Sequence, residues 1–121
     1  MNCNLILTDE FERKAKKLSK KYRSLKKDLA TLFDSLLENP YQGDQIKTDV
    51  YKIRLAIKSK GKGKSGGARV ITYLETQIIE QEETTDLYLI TIYDKSDTEN
   101  ISDQYINQII DNLQEGDTGE D

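Results

Sequence analysis

The sequence predicts an α+β domain in which an N-terminal helical hairpin packs on one face of a small antiparallel sheet, in the order β-α-α-β-β-β-α. Three observations predict it. Two consecutive stretches between Thr8 and Pro40 repeat apolar residues at helical spacing. Three later stretches between Thr48 and Lys95 alternate, or run apolar, over strand lengths, and a last helical stripe follows Ser102. A helical hairpin must bury its apolar stripe, and a short antiparallel sheet offers one apolar face to receive it.

Residues 3–8, CNLILT, read as a first strand. In the next stretch Phe11, Ala15, Leu18 and Tyr22 form one stripe of an amphipathic helix, and Asp9 with Glu12 three residues on has the spacing of a capping box. The second helix carries Leu25, Leu29, Leu32, Phe33, Leu36 and Leu37. Ser24 is its expected N-cap, and Asn39-Pro40 stops it. In TDVYKIRLAIK, residues 48–58, Tyr51, Ile53, Leu55 and Ile57 face one way while Lys52, Arg54, Ala56 and Lys58 face the other. Residues 59–67 are a Gly/Lys turn. ARVITYLETQII (68–79) and DLYLITIYDK (86–95) are two longer strands joined by EQEETT as a hairpin turn. Ser102 caps a last helix with Ile106, Ile109, Ile110 and Leu113 on one stripe. A single domain is expected over residues 1–114, with the acidic residues 115–121 as a disordered tail.

At 121 residues the chain is one domain in size and long enough for a core without cross-links. A single cysteine, Cys3, excludes an internal disulfide and fits a reducing compartment; it reads as a small apolar side chain near the first strand. No run is apolar enough to span a bilayer and no secretory leader is evident at the start, so a cytoplasmic protein without membrane contact is expected. Histidine is absent. That removes the usual metal ligand and the usual base near neutral pH, so no metal or cofactor is expected, and any proton transfer falls to Lys, Arg, Tyr or a carboxylate.

The net charge of −4 conceals a segregation: residues 1–73 carry a balance of +9 and residues 74–121 one of −13. Screening lengths of about 8 Å at physiological salt mean that a ligand feels the local patch. The acidic average therefore does not argue against a polyanionic partner.

KSKGKGKSGGARVITY, residues 58–73, concentrates the basic charge. A phosphate-binding P-loop is excluded, because the glycine that should precede Gly63-Lys64-Ser65 by five positions is Lys58, and a β-branched run follows where a helix is needed. Two readings remain. One is a solvated hairpin loop, the ordinary fate of Lys58, Lys60 and Lys62. The other is a phosphate-facing surface, in which Gly66 and Gly67 allow close backbone approach and Arg69 joins Lys52 and Arg54 on one sheet face, together with Tyr73, Tyr93 and Lys95. Tyr73 and Tyr93 also read as amphipathic packing at a sheet edge.

The run YKIRLAIKSKGKGKSGGARVITY (51–73), taken with LYLITIYDKSDTENI (87–101), resembles the RelE/ParE superfamily of bacterial type II toxins, and within it the HigB/RelE-like branch. KKYRSLKKDL and LLENPYQGDQI upstream are similar to the same group, so the resemblance covers nearly all of residues 5–110. It implies a RelE-like fold, a toxin that enters the ribosomal A site and cleaves mRNA by attack of the 2′-hydroxyl, and a cognate antitoxin, with the 70S ribosome and mRNA as further partners. It also implies catalytic roles for Lys52, Arg54, Arg69, Tyr93 and Lys95, and RNA contacts for Lys58, Lys60, Lys62, Lys64 and Tyr73. The tyrosine that some members carry a few residues after the last strand has no counterpart in SDTENIS. The antitoxin expected from the HigB-like branch is a helix-turn-helix protein. A gyrase-inhibiting ParE-like relative and a non-catalytic co-repressor module share the fold and stay open as alternatives.

Overall fold

The computed structural model describes residues 2–97 and 100–118, with side chains described to residue 113. It contains β1 (Asn2–Leu7), α1 (Asp9–Lys21), α2 (Leu25–Glu38), β2 (Asp44–Lys47), β3 (Val50–Leu55), β4 (Ala68–Ile79), β5 (Glu82–Asp94) and α3 (Asp103–Thr118). The five strands form one sheet in the order β1-β5-β4-β3-β2. Two features go beyond the expected meander. A short strand, β2, precedes the alternating stretch and pairs with its first half. And β1 lies parallel along β5, from Asn2 opposite Thr84 to Leu7 opposite Leu89, while the other pairs are antiparallel.

The helical hairpin covers one face of the sheet. Phe11, Leu25, Leu29, Leu32 and Leu36 pack against Ile53, Leu55, Val70, Leu87, Leu89 and Ile92. On the opposite face α3 brings Ile106 onto Ile71, Ile90 and Tyr93. The sheet is thus buried on both sides over its centre, which explains why β4 and β5 read as near-continuous apolar runs and not as clean alternation.

One residue sets which side chains reach which face. Ile71 pairs with Thr91 but Thr72 pairs with Leu89, so Ile90 is an unpaired bulge in β5. Before it Leu87 and Leu89 face the helical hairpin; after it Ile92 does, and Tyr93 is turned to the other face. Thr8 holds the bulge. Its hydroxyl lies 2.8 and 3.1 Å from the Leu89 and Ile90 carbonyls and accepts from the Phe11 amide at 3.1 Å. Thr8 is therefore the N-cap of α1, in place of the Asp9/Glu12 capping box expected from the spacing. Ser24 stands at the start of α2 as expected, but its hydroxyl donates to Asp28 at 2.7 Å and makes no cap bond.

The turn between β4 and β5 is tighter than EQEETT suggests. Glu80 and Gln81 alone form it, at φ 53° and 68°, the paired left-handed conformation of a two-residue hairpin. The end of α3 at Thr118 lies past the expected boundary at 114; residues 119–121 of the expected tail lie outside the described residues. No helix among the described residues is long and apolar enough to cross a membrane.

Candidate active site on the basic sheet face

Antiparallel pairing places Arg54 on β3 directly opposite Arg69 on β4, and Arg69 directly opposite Tyr93 on β5. Three strands thus deliver two guanidiniums and a phenol to one row, with neighbouring Cα atoms about 5 Å apart. Lys52 stands two residues before Arg54, opposite Ile71, on the same side of the sheet. The expectation that Arg54 and Arg69 share a face holds at the level of strand register.

The two arginines are held very differently. Arg54 is exposed, and its side chain makes no hydrogen bond or ion pair among the described residues. Arg69 is only 7% exposed. Its guanidinium donates to the carbonyls of Lys64 (3.0 Å), Ala68 (3.1 Å) and Ser65 (3.2 Å). Among the described residues no carboxylate forms an ion pair with it. Arg69 therefore works from beneath the Gly/Lys loop, ordering its C-terminal half and projecting positive potential through it.

Tyr93 is 7% exposed, and its hydroxyl has no hydrogen-bond partner among the described residues. Burial pushes the phenol above its ordinary value, against the pull of the Arg69 charge. It keeps its proton at neutral pH and has it unspent. Around it Lys52, Ile71, Asn100, Asp103 and Ile106 line a cavity of about 200 Å³. The Lys52 ammonium donates to the Asn100 side chain at 3.3 Å across this cavity.

The loop itself is built from polar clamps. Lys60 donates to Asp94 and to Ser96, each at 2.7 Å, and the Tyr22 hydroxyl donates to Asp94 at 2.6 Å. Asp94 is 2% exposed. Its burial alone would raise the carboxyl, but the hydrogen bonds from Lys60, Tyr22 and the Ser96 amide outweigh it and hold the group at about 2. A second clamp joins Asp28, which accepts from the Lys58 amide at 3.0 Å and the Ser24 hydroxyl, while Ser24 and Ser59 bond each other.

These contacts sort the expected residues. Lys52, Arg54, Arg69 and Tyr93 come together. Lys95 adjoins them through its backbone, donating to the Gly67 carbonyl at 3.0 Å. Lys58, Lys62 and Lys64 are exposed along the loop. Lys60 is placed differently: its ammonium is bonded to the buried Asp94 and does not point outward with its neighbours. So is Tyr73. It lies four residues along β4 from Arg69, about 13 Å at strand rise, packed 6.0 Å from the Tyr88 ring and bonded to Glu75. The Gly66-Gly67 pair has an internal steric reason. A Cβ on Gly67 would lie 2.0 Å from the Leu55 carbonyl, and one on Gly66 would lie 2.6 Å from the Lys62 Cβ.

Asp94, Asp28, Tyr22 and Asn100 are the members that motif reading missed. Asp28 left a visible signal: it falls on the apolar stripe of α2, three residues after Leu25 and four before Leu32, where a carboxylate must find partners. Asp94 left none, because its partners come from α1 and from the loop.

No family model matches the chain. Among solved structures it resembles a double arginine-to-alanine mutant of the E. coli toxin RelE in the free state, with a TM-score of 0.52 at 16% identity, covering 93% of this chain and 99% of that one. The fold is RelE-like.

Proposed function

We propose that this chain is the toxin of a type II toxin–antitoxin pair, a ribosome-dependent mRNA endonuclease of the HigB/RelE-like branch. The observation that carries the reading is the row Arg54–Arg69–Tyr93, which sets an unpaired guanidinium and an unspent phenolic proton on either side of a buried cation.

RNA cleavage by its own 2′-hydroxyl needs a base for that proton, stabilisation of charge on the phosphorane, and a proton for the leaving 5′ oxygen. Arg54 grips a phosphate oxygen directly, as a planar and permanently charged donor. Arg69 supplies fixed charge from below. Tyr93, holding its proton at neutral pH, suits the acid role; Lys95 is the alternative donor. In this reading Lys52 or Lys64, in its neutral amine form, takes the 2′ proton. Without histidine, alignment of the 2′-hydroxyl by the ribosome supplies much of the acceleration. The exposed cations of the helical hairpin, among them Lys16, Lys20, Arg23 and Lys27, serve as contacts to ribosomal RNA, with an affinity that falls steeply with salt. The partners in this reading are the 70S ribosome, its mRNA and a cognate helix-turn-helix antitoxin in the cytoplasm.

Toeprinting on translating ribosomes tests the reading. Wild-type protein is expected to cut mRNA, and Arg54→Ala, which removes no side-chain hydrogen bond or ion pair among the described residues, to slow cutting by about 10²–10³. Growth arrest with mRNA left intact would refute it and favour a gyrase-inhibiting relative.

A further inference from the structure

A cavity of about 540 Å³ lies between α2 and the outer half of β3. It exists because β2 stops short. Asp44 pairs with Lys52, and beyond that pair no strand among the described residues pairs with this edge of β3. Gly43, at φ +95°, turns the chain away at that point; a Cβ there would lie 2.5 Å from the Lys52 carbonyl. The cavity has an aliphatic floor of Leu32, Ile53, Leu55 and Ala56, and neutral polar groups from Thr31, Ser35 and Gln42 along one wall. Gln42 donates its amide to Ser35, and its carbonyl oxygen meets no donor among the described residues.

Four cations line the same space: Lys52, Arg54, Lys58 and Lys64. Among the described residues none of them forms an ion pair. Two carboxylates are present as well. Asp28 is already satisfied by Ser24 and the Lys58 amide, and Asp44 is exposed at the far end. Like charges gathered on one rim raise the energy of the isolated protein, and phosphate offsets them. Lys52 belongs to both cavities and stands between this one and the Tyr93 row.

We infer that the edge cavity between α2 and β3 is a nucleotide subsite, in which one base of an RNA strand lies on the aliphatic floor while the flanking phosphates rest on Lys52, Arg54, Lys58 and Lys64. The inference rests on the RNA-cutting reading and adds to it a place where the base next to the cut is selected. The volume suits one nucleotide. The cations extend from β3 to the loop, which matches a backbone passing through and not a single terminal phosphate.

The experiment measures binding of labelled RNA hexamers of A, C and U, of an abasic ribose-phosphate hexamer, and of the mononucleotides, to the full chain at fixed low salt. Base-bearing hexamers are expected to bind about tenfold tighter than the abasic one, the low end for a base held without an aromatic platform. Thr31→Trp, an exposed substitution that fills the cavity and spares the cations, should erase that difference and leave the abasic affinity within about twofold. Lys58→Gln with Lys64→Gln should weaken every hexamer alike and lower the salt slope by about two. Equal binding of base-bearing and abasic hexamers would overturn the subsite, as would a preference that survives Thr31→Trp. Mononucleotides that bind as tightly as hexamers would overturn its assignment to a strand. On ribosomes the two claims separate. A Thr31→Trp protein that cuts with unchanged base preference overturns the subsite and leaves the nuclease standing; base-selective binding without any cutting does the reverse.

Discussion

Replacing Asp94 with asparagine removes the carboxylate on which the loop, α1 and the end of β5 converge. Its magnitude follows from two routes that share the Lys60 contact. A carboxyl held at about 2 against an ordinary 3.8 stabilises the fold by about 2 kcal/mol at neutral pH, at about 1.36 kcal/mol per tenfold change in proton affinity. The other route starts from Lys60, whose side chain is 7% exposed at 2.7 Å from Asp94. Breaking a buried pair from one side costs about 3–5 kcal/mol, reduced here because a loop lysine regains solvent by swinging outward. A loss of about 3 kcal/mol is expected, which lowers the melting temperature of a chain this size by about 10 °C. The pH dependence has a definite sign. The folded carboxyl is more acidic than the unfolded one, so its contribution is complete above about pH 4 and disappears as pH falls toward 2. Denaturant unfolding of wild type and Asp94→Asn between pH 7 and pH 2 measures both. The two stabilities should converge through that acid window, and Lys60→Met added to Asp94→Asn should recover part of the loss. A neutral-pH difference under about 0.5 kcal/mol, or two pH curves that run parallel, would refute the assignment of Asp94 as the anchor of the loop.

Further outcomes follow from single contacts. Tyr93→Phe should leave stability unchanged or raise it by about 1 kcal/mol, since the hydroxyl it removes is buried and unpartnered, yet slow ribosome-dependent cutting by at least about tenfold; calorimetry and single-turnover cleavage read the two separately. Gly67→Ala sets a methyl group against the Leu55 carbonyl and should cost more than about 2 kcal/mol in urea unfolding. Thr8→Val loses the α1 cap and the hydroxyl at the Ile90 bulge together, an expected loss of about 2 kcal/mol by the same assay.

Local pattern carried much of this protein. The stripes of Phe11, Leu25, Leu29, Leu32 and Leu36 have the helical period, the alternation of Ile53 and Leu55 with Lys52 and Arg54 has the strand period, and both are properties of neighbours in the chain. So is the placement of Arg54 and Lys52 on one side of β3. By itself, then, the sequence determined the helical hairpin, the long strands, the last helix and the basic character of one sheet edge.

Contacts between distant segments decided the rest. Nothing local to β1 says that it pairs parallel with β5, because a strand's alternation carries no partner. Nothing local to LYLITIY places a bulge at Ile90; the Thr8 hydroxyl, 82 residues away, holds it and so turns Tyr93 to the basic face. Lys60 and Lys64 look alike in the loop, yet one is drawn inward because Asp94 and Tyr22 wait beneath it. Side-chain periodicity is encoded by backbone geometry over a few residues, whereas register, burial of a charge and the choice of ion partner are set by which segments the folded chain brings within hydrogen-bonding reach, and only the tertiary structure decides that.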